Sequence, residues 1–181
     1  IIVMNTEEKF WKKIWEEKYP LVEVHHLTKE EFDHGATRRR GAELSDAEIL
    51  VFMTQDALPA DRKLIGSLVT AIQENEKVGA AYARQLPKSD CGFLEKYTRS
   101  FNYPSESCLK TEKDLATRGI KTYFCSNVCA AYDHKIYNEI GGFPEHAIFN
   151  EDMIYAGWMV KKGYGVAYVA EARVYHSHNY S

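Results

Sequence analysis

Residues 48–59 read EILVFMTQDALP. Five apolar residues, Ile49 to Met53, run into a polar turn that carries Asp56 and closes at Pro59. A run this short and this apolar reads as a strand buried on both faces. Asp56 then falls just past the carboxyl end of that strand, where open α/β sheets present their ligands. A carboxylate there binds a divalent cation that neutralises a phosphate, or serves as a turn former ahead of Pro59 and Asp61. Taken alone, the stretch leaves both open.

Outward from this strand, short apolar runs alternate with helical stretches. Strands are expected over residues 1–4, 21–25, 48–53, 78–83, 122–124, 128–132, 166–169 and 172–176, and helices over 6–18, 36–44, 61–74, 134–140 and 151–161. In the third helix Asp61 is the cap, and Leu64, Leu68 and Ile72 recur at four-residue spacing. The alternation predicts an α/β fold with a mixed, mostly parallel sheet flanked by helices. Residues 86–119 carry prolines, serines and mixed charge without clear periodicity, and read as a functional loop or a mobile segment.

A chain of 181 residues is long enough for one domain with a substantial core. The net charge of −3 and the absence of a long basic stretch argue against nucleic acid as a partner. Arg38-Arg39-Arg40 reads first as a solvated helix end. No apolar run approaches the roughly 20 residues needed to span a bilayer, so no membrane span and a cytoplasmic location are expected. Cys91, Cys108, Cys125 and Cys129 lack a disulfide-framework spacing and are expected as free thiols. The chain opens inside the β-branched stretch IIVMN, which implies upstream sequence.

Two further places could carry chemistry. Glu151-Asp152 opens a helix after the turn GGFPEHAIFN; the helix dipole explains acids there, and a general base needs other polar groups to converge on them. His176 and His178 share a face if the strand continues through them, and that geometry can present two imidazoles to one cation or diphosphate. A zinc site joining them to Cys125 and Cys129 lacks the usual finger spacing. Arginines in FDHGATRRRGAE and GAAYARQLP suit bidentate contact with phosphate.

The ordered series FDHGATRRRGAE, VFMTQDALPAD, AAYARQLP, RSFNYP, FCSNVCAAYDHKIYNEIGGFPE and NEDMIYAGWMVKKGYGVAYVAEARVYHSHNYS resembles glycosyltransferase family 2 of the GT-A fold, particularly its rhamnosyltransferase-like branch. The resemblance runs from Phe32 to Ser181 and implies one GT-A domain over residues 1–181, N-terminally truncated. It implies Asp56 of TQD as the metal ligand for magnesium or manganese, and Asp152 of NED as the general base with Glu151 beside it. Donor binding would fall to Gln55, Arg39, Arg84, His176 and His178. The implied activity is inverting transfer of a sugar, rhamnose or another deoxysugar, from a nucleotide-diphosphate donor to a cell-surface glycan or lipid-linked acceptor at the inner face of the membrane. Asn5 stands where the family carries an acid for the nucleotide, and Arg39 where it carries an asparagine. Those departures keep a second reading open, a catalytically silent GT-A-like domain that binds a glycan or protein. An open sheet edge would also favour a homo-oligomer.

Overall fold

The computed structural model describes residues 1–88, 91–147 and 149–176. In chain order the elements are β1 (Ile2–Thr6), α1 (Ile14–Lys18), β2 (Glu23–Leu27), α2 (His34–Glu43), β3 (Ile49–Met53), β4 (Leu58–Pro59), α3 (Leu64–Gln73) and β5 (Val78–Leu86). There follow α4 (Phe93–Asn102), β6 (Cys108–Lys110), α5 (Leu115–Arg118), β7 (Cys129–Asp133), α6 (His134–Ile140), α7 (Glu151–Lys161) and β8 (Gly165–Tyr175).

β1 and β2 form a parallel pair of their own. The main sheet runs β3-β7-β5-β8-β4, with β6 also on β8. Its long ladder, β5 with β8, is parallel. β3–β7, β5–β7, β4–β8 and β6–β8 are antiparallel, so the sheet is mixed. Helices cover both faces. α3 lays Leu64, Leu68 and Ile72 against Ala81, Ala83, Ala131 and Val174. On the other face Ile136, Tyr137, Tyr155, Met159 and Val160 pack on Ala80, Tyr82, Tyr132 and Val166. Alternate residues of β5 thus serve opposite cores, as the period of two requires. Gly79 marks the closest approach of α7: a Cβ there would lie 2.5 Å from Met159 Sδ.

Four expectations change. The helix over 6–18 is a 3-10 turn (Glu8–Phe10) followed only by the short α1. Glu7 takes a φ of 66° and donates its N–H to Leu27 O, which pulls the chain back to β2 before a helix can start. Residues 86–119 contain α4, β6 and α5 rather than one irregular loop. The stretch expected as a strand at 122–124 is the end of a 3-10 turn, Gly119–Tyr123. The two C-terminal strands are one, bent where the partner of Ala83 is Val169 but that of Arg84 is Arg173. The extra residues of that bulge are what hid its continuity.

The carboxyl ends of β3, β5 and β8 meet the amino end of antiparallel β7 at one edge of the sheet, where Met53 pairs with Cys129 and Leu86 with Tyr175.

Candidate active site

α7 begins at that edge. Asn150 before it is left-handed, with φ 62°, and both acids of its first turn point into the protein. Asp152 Oδ2 accepts the backbone N–H of Asn127 at 2.8 Å. Glu151, 5% exposed, accepts Asn127 Nδ2 at 3.1 Å and pairs with Arg38 Nη1 at 2.8 Å. Asn127 Oδ1 in turn accepts the Tyr132 hydroxyl at 2.8 Å. Every strong group of the pair is therefore matched, and Arg38 balances the buried charge. Burial raises the Asp152 carboxyl above the ordinary aspartate value of 3.8, and the adjacent Glu151 pushes the same way; the Asn127 N–H and Arg38 pull against them. The result is a carboxylate more basic than usual, which suits proton abstraction.

Arg38 reaches Glu151 because α2 docks tightly. Asp33 caps it through Ala36 N at 2.7 Å. Gly35 lets it touch the turn before α7, since a Cβ there would lie 1.8 Å from Pro144 O.

The other half of the site centres on Gln85. Its Nε2 donates to Tyr103 Oη at 2.5 Å and to Ser126 Oγ at 2.9 Å. Its Oε1 lies 2.9 Å from His176 Nδ1 and accepts from Arg99. Arg99 also lies 3.3 Å from His176 Nδ1 and 3.6 Å from Glu95. The nearer partner of Nδ1 is the amide oxygen, an acceptor, so Nδ1 carries the ring proton. His176 Nε2 lies 3.3 Å from Asp56 Oδ2. His176 is buried, whereas Asp56 is 42% exposed: an anion at the surface, backed by an imidazole held from behind. Ser126 and Asn127, consecutive in the chain, join the two halves.

Of the residues in the sequence reading, the structure pairs Asp56 with His176 and sets Asp152 and Glu151 together on Asn127. Gln55 sits exposed on the turn beside Asp56. Arg39 pairs with Glu43 and Glu145 and does not reach the acids. Arg84 faces Arg173 across the β5–β8 ladder, its Nε buried without a hydrogen-bond partner. Asn5 spends its amide on Glu7 O and His26. His178 lies outside the described residues. Gln85, Arg99 and Asn127 went unnamed, and Arg38 was read first as part of a solvated helix end, although each falls in a stretch quoted above. Cys125 and Cys129 are free, lie in opposite cores, and are pushed up to about 12 by burial. Neither supplies a thiolate, and among the described residues no group of three or more His, Cys, Asp or Glu is placed to hold a metal. A separate groove of about 680 Å³ between α3 and β6, lined by Ser67, Thr70, Glu74 and Leu109, shares no residue with this site.

Residues 5–141 match the family model described as Glycosyl transferase family 2. The chain is 43% identical over 161 residues to the O-antigen chain rhamnosyltransferase RfbN of Salmonella typhimurium, covering 88% of this chain and 51% of that protein. It is 40% identical over 156 residues to the O-antigen chain rhamnosyltransferase WbaN of Salmonella anatum, covering 86% and 49%. The chain thus spans about half the length of the curated relatives it matches. Among solved structures, TarS 1-349 of S. aureus superposes with a TM-score of 0.69 at 17% identity, over 97% of this chain and 50% of that one. GalNAc-T7 with UDP, GalNAc and manganese superposes with a TM-score of 0.71 at 13% identity, over 99% and 38%. Both likenesses show the fold.

Proposed function

The chain belongs to glycosyl transferase family 2, and from that premise we infer that its polar sheet edge moves a sugar from a nucleoside-diphosphate donor to an acceptor hydroxyl. The observation that carries this reading is the junction at Asn127, which ties a basic, buried-side carboxylate to the chain segment beside the Asp56–His176 pair. The reading treats residues 1–181 as one GT-A domain. Gly41 beside the Met4 side chain and Arg38 on Glu151 connect the small sheet to the large one through α2.

With Nε2 unprotonated, Asp56 Oδ2 and His176 Nε2, 3.3 Å apart, would offer a donor set that suits a divalent cation such as magnesium or manganese. Bound there, such a cation would stabilise the negative charge of the departing diphosphate. Gln85 orients the imidazole through Nδ1. Asp152 takes the proton from the acceptor hydroxyl as its oxygen bonds to the anomeric carbon. The bond from that carbon to the diphosphate breaks on the opposite face, with inversion. Glu151 and Arg38 form a matched ion pair that fixes the start of α7. Gln55, Arg39, Arg84 and His178 are proposed to contact the donor.

Two relatives named as O-antigen chain rhamnosyltransferases support rhamnose, or a related deoxysugar, as the cargo and a glycan as the acceptor; we propose that this glycan is carried on a lipid. That acceptor would put the protein at the cytoplasmic face of a membrane; among the described residues no helix is long and apolar enough to cross one. β3 stands at the edge of the main sheet with Val51 and Met53 exposed, and pairing of two copies there belongs to the same reading. A monomer at high concentration would remove that part.

Calorimetric titration with UDP and with dTDP, each with and without manganese, tests the core of it. Metal-dependent binding of one nucleotide, lost in Asp56→Ala, is expected. Equal binding with and without metal, or binding untouched by Asp56→Ala, would overturn the donor-site assignment.

A further inference from the structure

α4 is built inside out. Its two oppositely charged residues one turn apart, Glu95 and Arg99, face the protein, with side chains 5% and 11% exposed. Its apolar residues face away: Phe93 is 84% exposed, Leu94 70%, Phe101 62% and Tyr97 59%. At 100° per residue these four occupy about a quarter of the helix circumference, nearly opposite Glu95 and Arg99. Tyr97 and Phe101 stack with ring planes 15° apart. Lys121 Nζ sits 4.3 Å from the centre of the Phe101 ring.

A contiguous outward apolar stripe marks a contact surface rather than chance exposure. Its chemistry says which kind. The one acid of α4 is buried, and the one exposed charge on the helix is Lys96. Lys121 adds a second cation at the far end of the stripe. Aromatic and aliphatic side chains flanked by lysines, with no exposed carboxylate on the helix, match the composition of a segment that lies in a bilayer interface. The inner face of the same helix belongs to the site, because Arg99 bonds Gln85 and lies against His176.

We propose that α4 docks on the surface of an anionic bilayer, burying Phe93, Leu94, Tyr97 and Phe101 among the acyl chains with Lys96 and Lys121 on lipid phosphates. Docked this way, the helix would stand between lipid and site as a spacer about one helix diameter, 10–12 Å, thick. A sugar acceptor carried on a lipid would then meet Asp152 near the membrane surface. The inference deepens the membrane-side placement made above and names the surface responsible.

Sedimentation of the chain with vesicles tests it without donor or acceptor, so its failure leaves the transferase reading standing, and failed nucleotide binding leaves the docking standing. Binding to vesicles of phosphatidylglycerol and phosphatidylcholine is expected to exceed binding to pure phosphatidylcholine by about tenfold. Phe93→Ser with Tyr97→Ser should weaken it about tenfold or more, with an unchanged thermal midpoint because both side chains are exposed. Lys96→Glu with Lys121→Glu should weaken it on anionic vesicles. No binding to either vesicle, or binding indifferent to both double variants, overturns the proposal. So does sedimentation equilibrium showing a dimer that Phe93→Ser with Tyr97→Ser converts to monomer while vesicles bind nothing, which would make the stripe a contact between two copies.

Discussion

The backbone N–H of Asn127 lies 2.8 Å from Asp152 Oδ2, so the carboxylate at the head of α7 takes its orientation from the chain entering β7. A main-chain donor cannot rotate away, and the oxygen it engages is fixed; the other, Oδ1, accepts the N–H of the next residue, Met153, at 2.7 Å and has a second lone pair to offer. That distinguishes the role of Asp152 from that of Glu151, whose carboxylate is already engaged by Arg38 and the Asn127 amide.

Asp152→Asn keeps one oxygen for the Asn127 N–H, removes the basicity and gives up the acceptor that met the Met153 N–H at the head of the helix. Sugar transfer should fall about 10²- to 10⁴-fold, with nucleotide affinity nearly unchanged. The wild-type rate needs the anion, so it should decline as pH drops through the Asp152 pKa, and because that pKa is raised, the decline should begin above the ordinary aspartate value of 3.8. A pH–rate profile that stays flat down to that value would remove Asp152 from the role of base.

Gln85→Leu deletes four hydrogen-bonded contacts at once, to Tyr103, Ser126, Arg99 and His176. Leaving buried partners unmatched should cost about 2–4 kcal/mol in denaturant unfolding. With Nδ1 unsupported, His176 should also lose its fixed orientation, and manganese affinity should fall about 10- to 100-fold. Unaltered metal affinity in a folded variant would separate Gln85 from the metal edge.

Gly35→Ala places a methyl where Pro144 O already is, 1.8 Å away. Backbone must move, so a loss of about 1–3 kcal/mol or more is expected, together with withdrawal of Arg38 from Glu151. Gly66→Ala, on α3 with nothing within 4 Å of the new methyl, should instead stabilise by about 0.5–1 kcal/mol. Thermal unfolding of the two variants side by side checks the contrast.

Lys110 is buried against Tyr82 and Phe124, and burial lowers its pKa to about 8. Below that pH both folded and unfolded chains hold the proton. Between about 8 and the ordinary lysine value of 10.5 only the unfolded chain holds it, so Lys110 makes stability rise with pH across that window. Relative to Lys110→Met, the wild type should gain roughly 3 kcal/mol between the two ends. Denaturation series at pH 7.5 and 10.5 read the difference, which also cancels the opposing titration of the buried cysteines. A pH-independent difference would mean that Lys110 keeps an ordinary pKa.

The helices α6 and α7 were legible to the residue because local signals bound them: Asp133 caps the first and Gly141, at φ 99°, stops it. The place of Asp56, just past the end of β3, was legible from the apolar run before it. The remainder depended on contacts between distant segments. Three consecutive arginines point about 100° apart on a helix, and only the docking of α2 through Gly35 decides that Arg38 is the one that meets Glu151. Gln85 and His176 are 91 residues apart, and nothing local to either announces the other. α4 escaped for a different reason: a helix that turns its charges inward defeats a pattern search that assumes apolar means buried.

The parallel ladder of β5 on β8 begins by pairing Val78 with Gly165, and all the chain between must be arranged before that pair can close. Such separation in sequence slows folding, since loop entropy is lost before contacts reward it. The geometry therefore has a timing. While the strand that carries His176 is still unmade, Asp56 has no imidazole beside it and Gln85 has no ring to hold. A chain caught partway through synthesis would lack the Asp56–His176 pair, and so, on the function proposed above, could not yet hold the cation that a sugar donor needs.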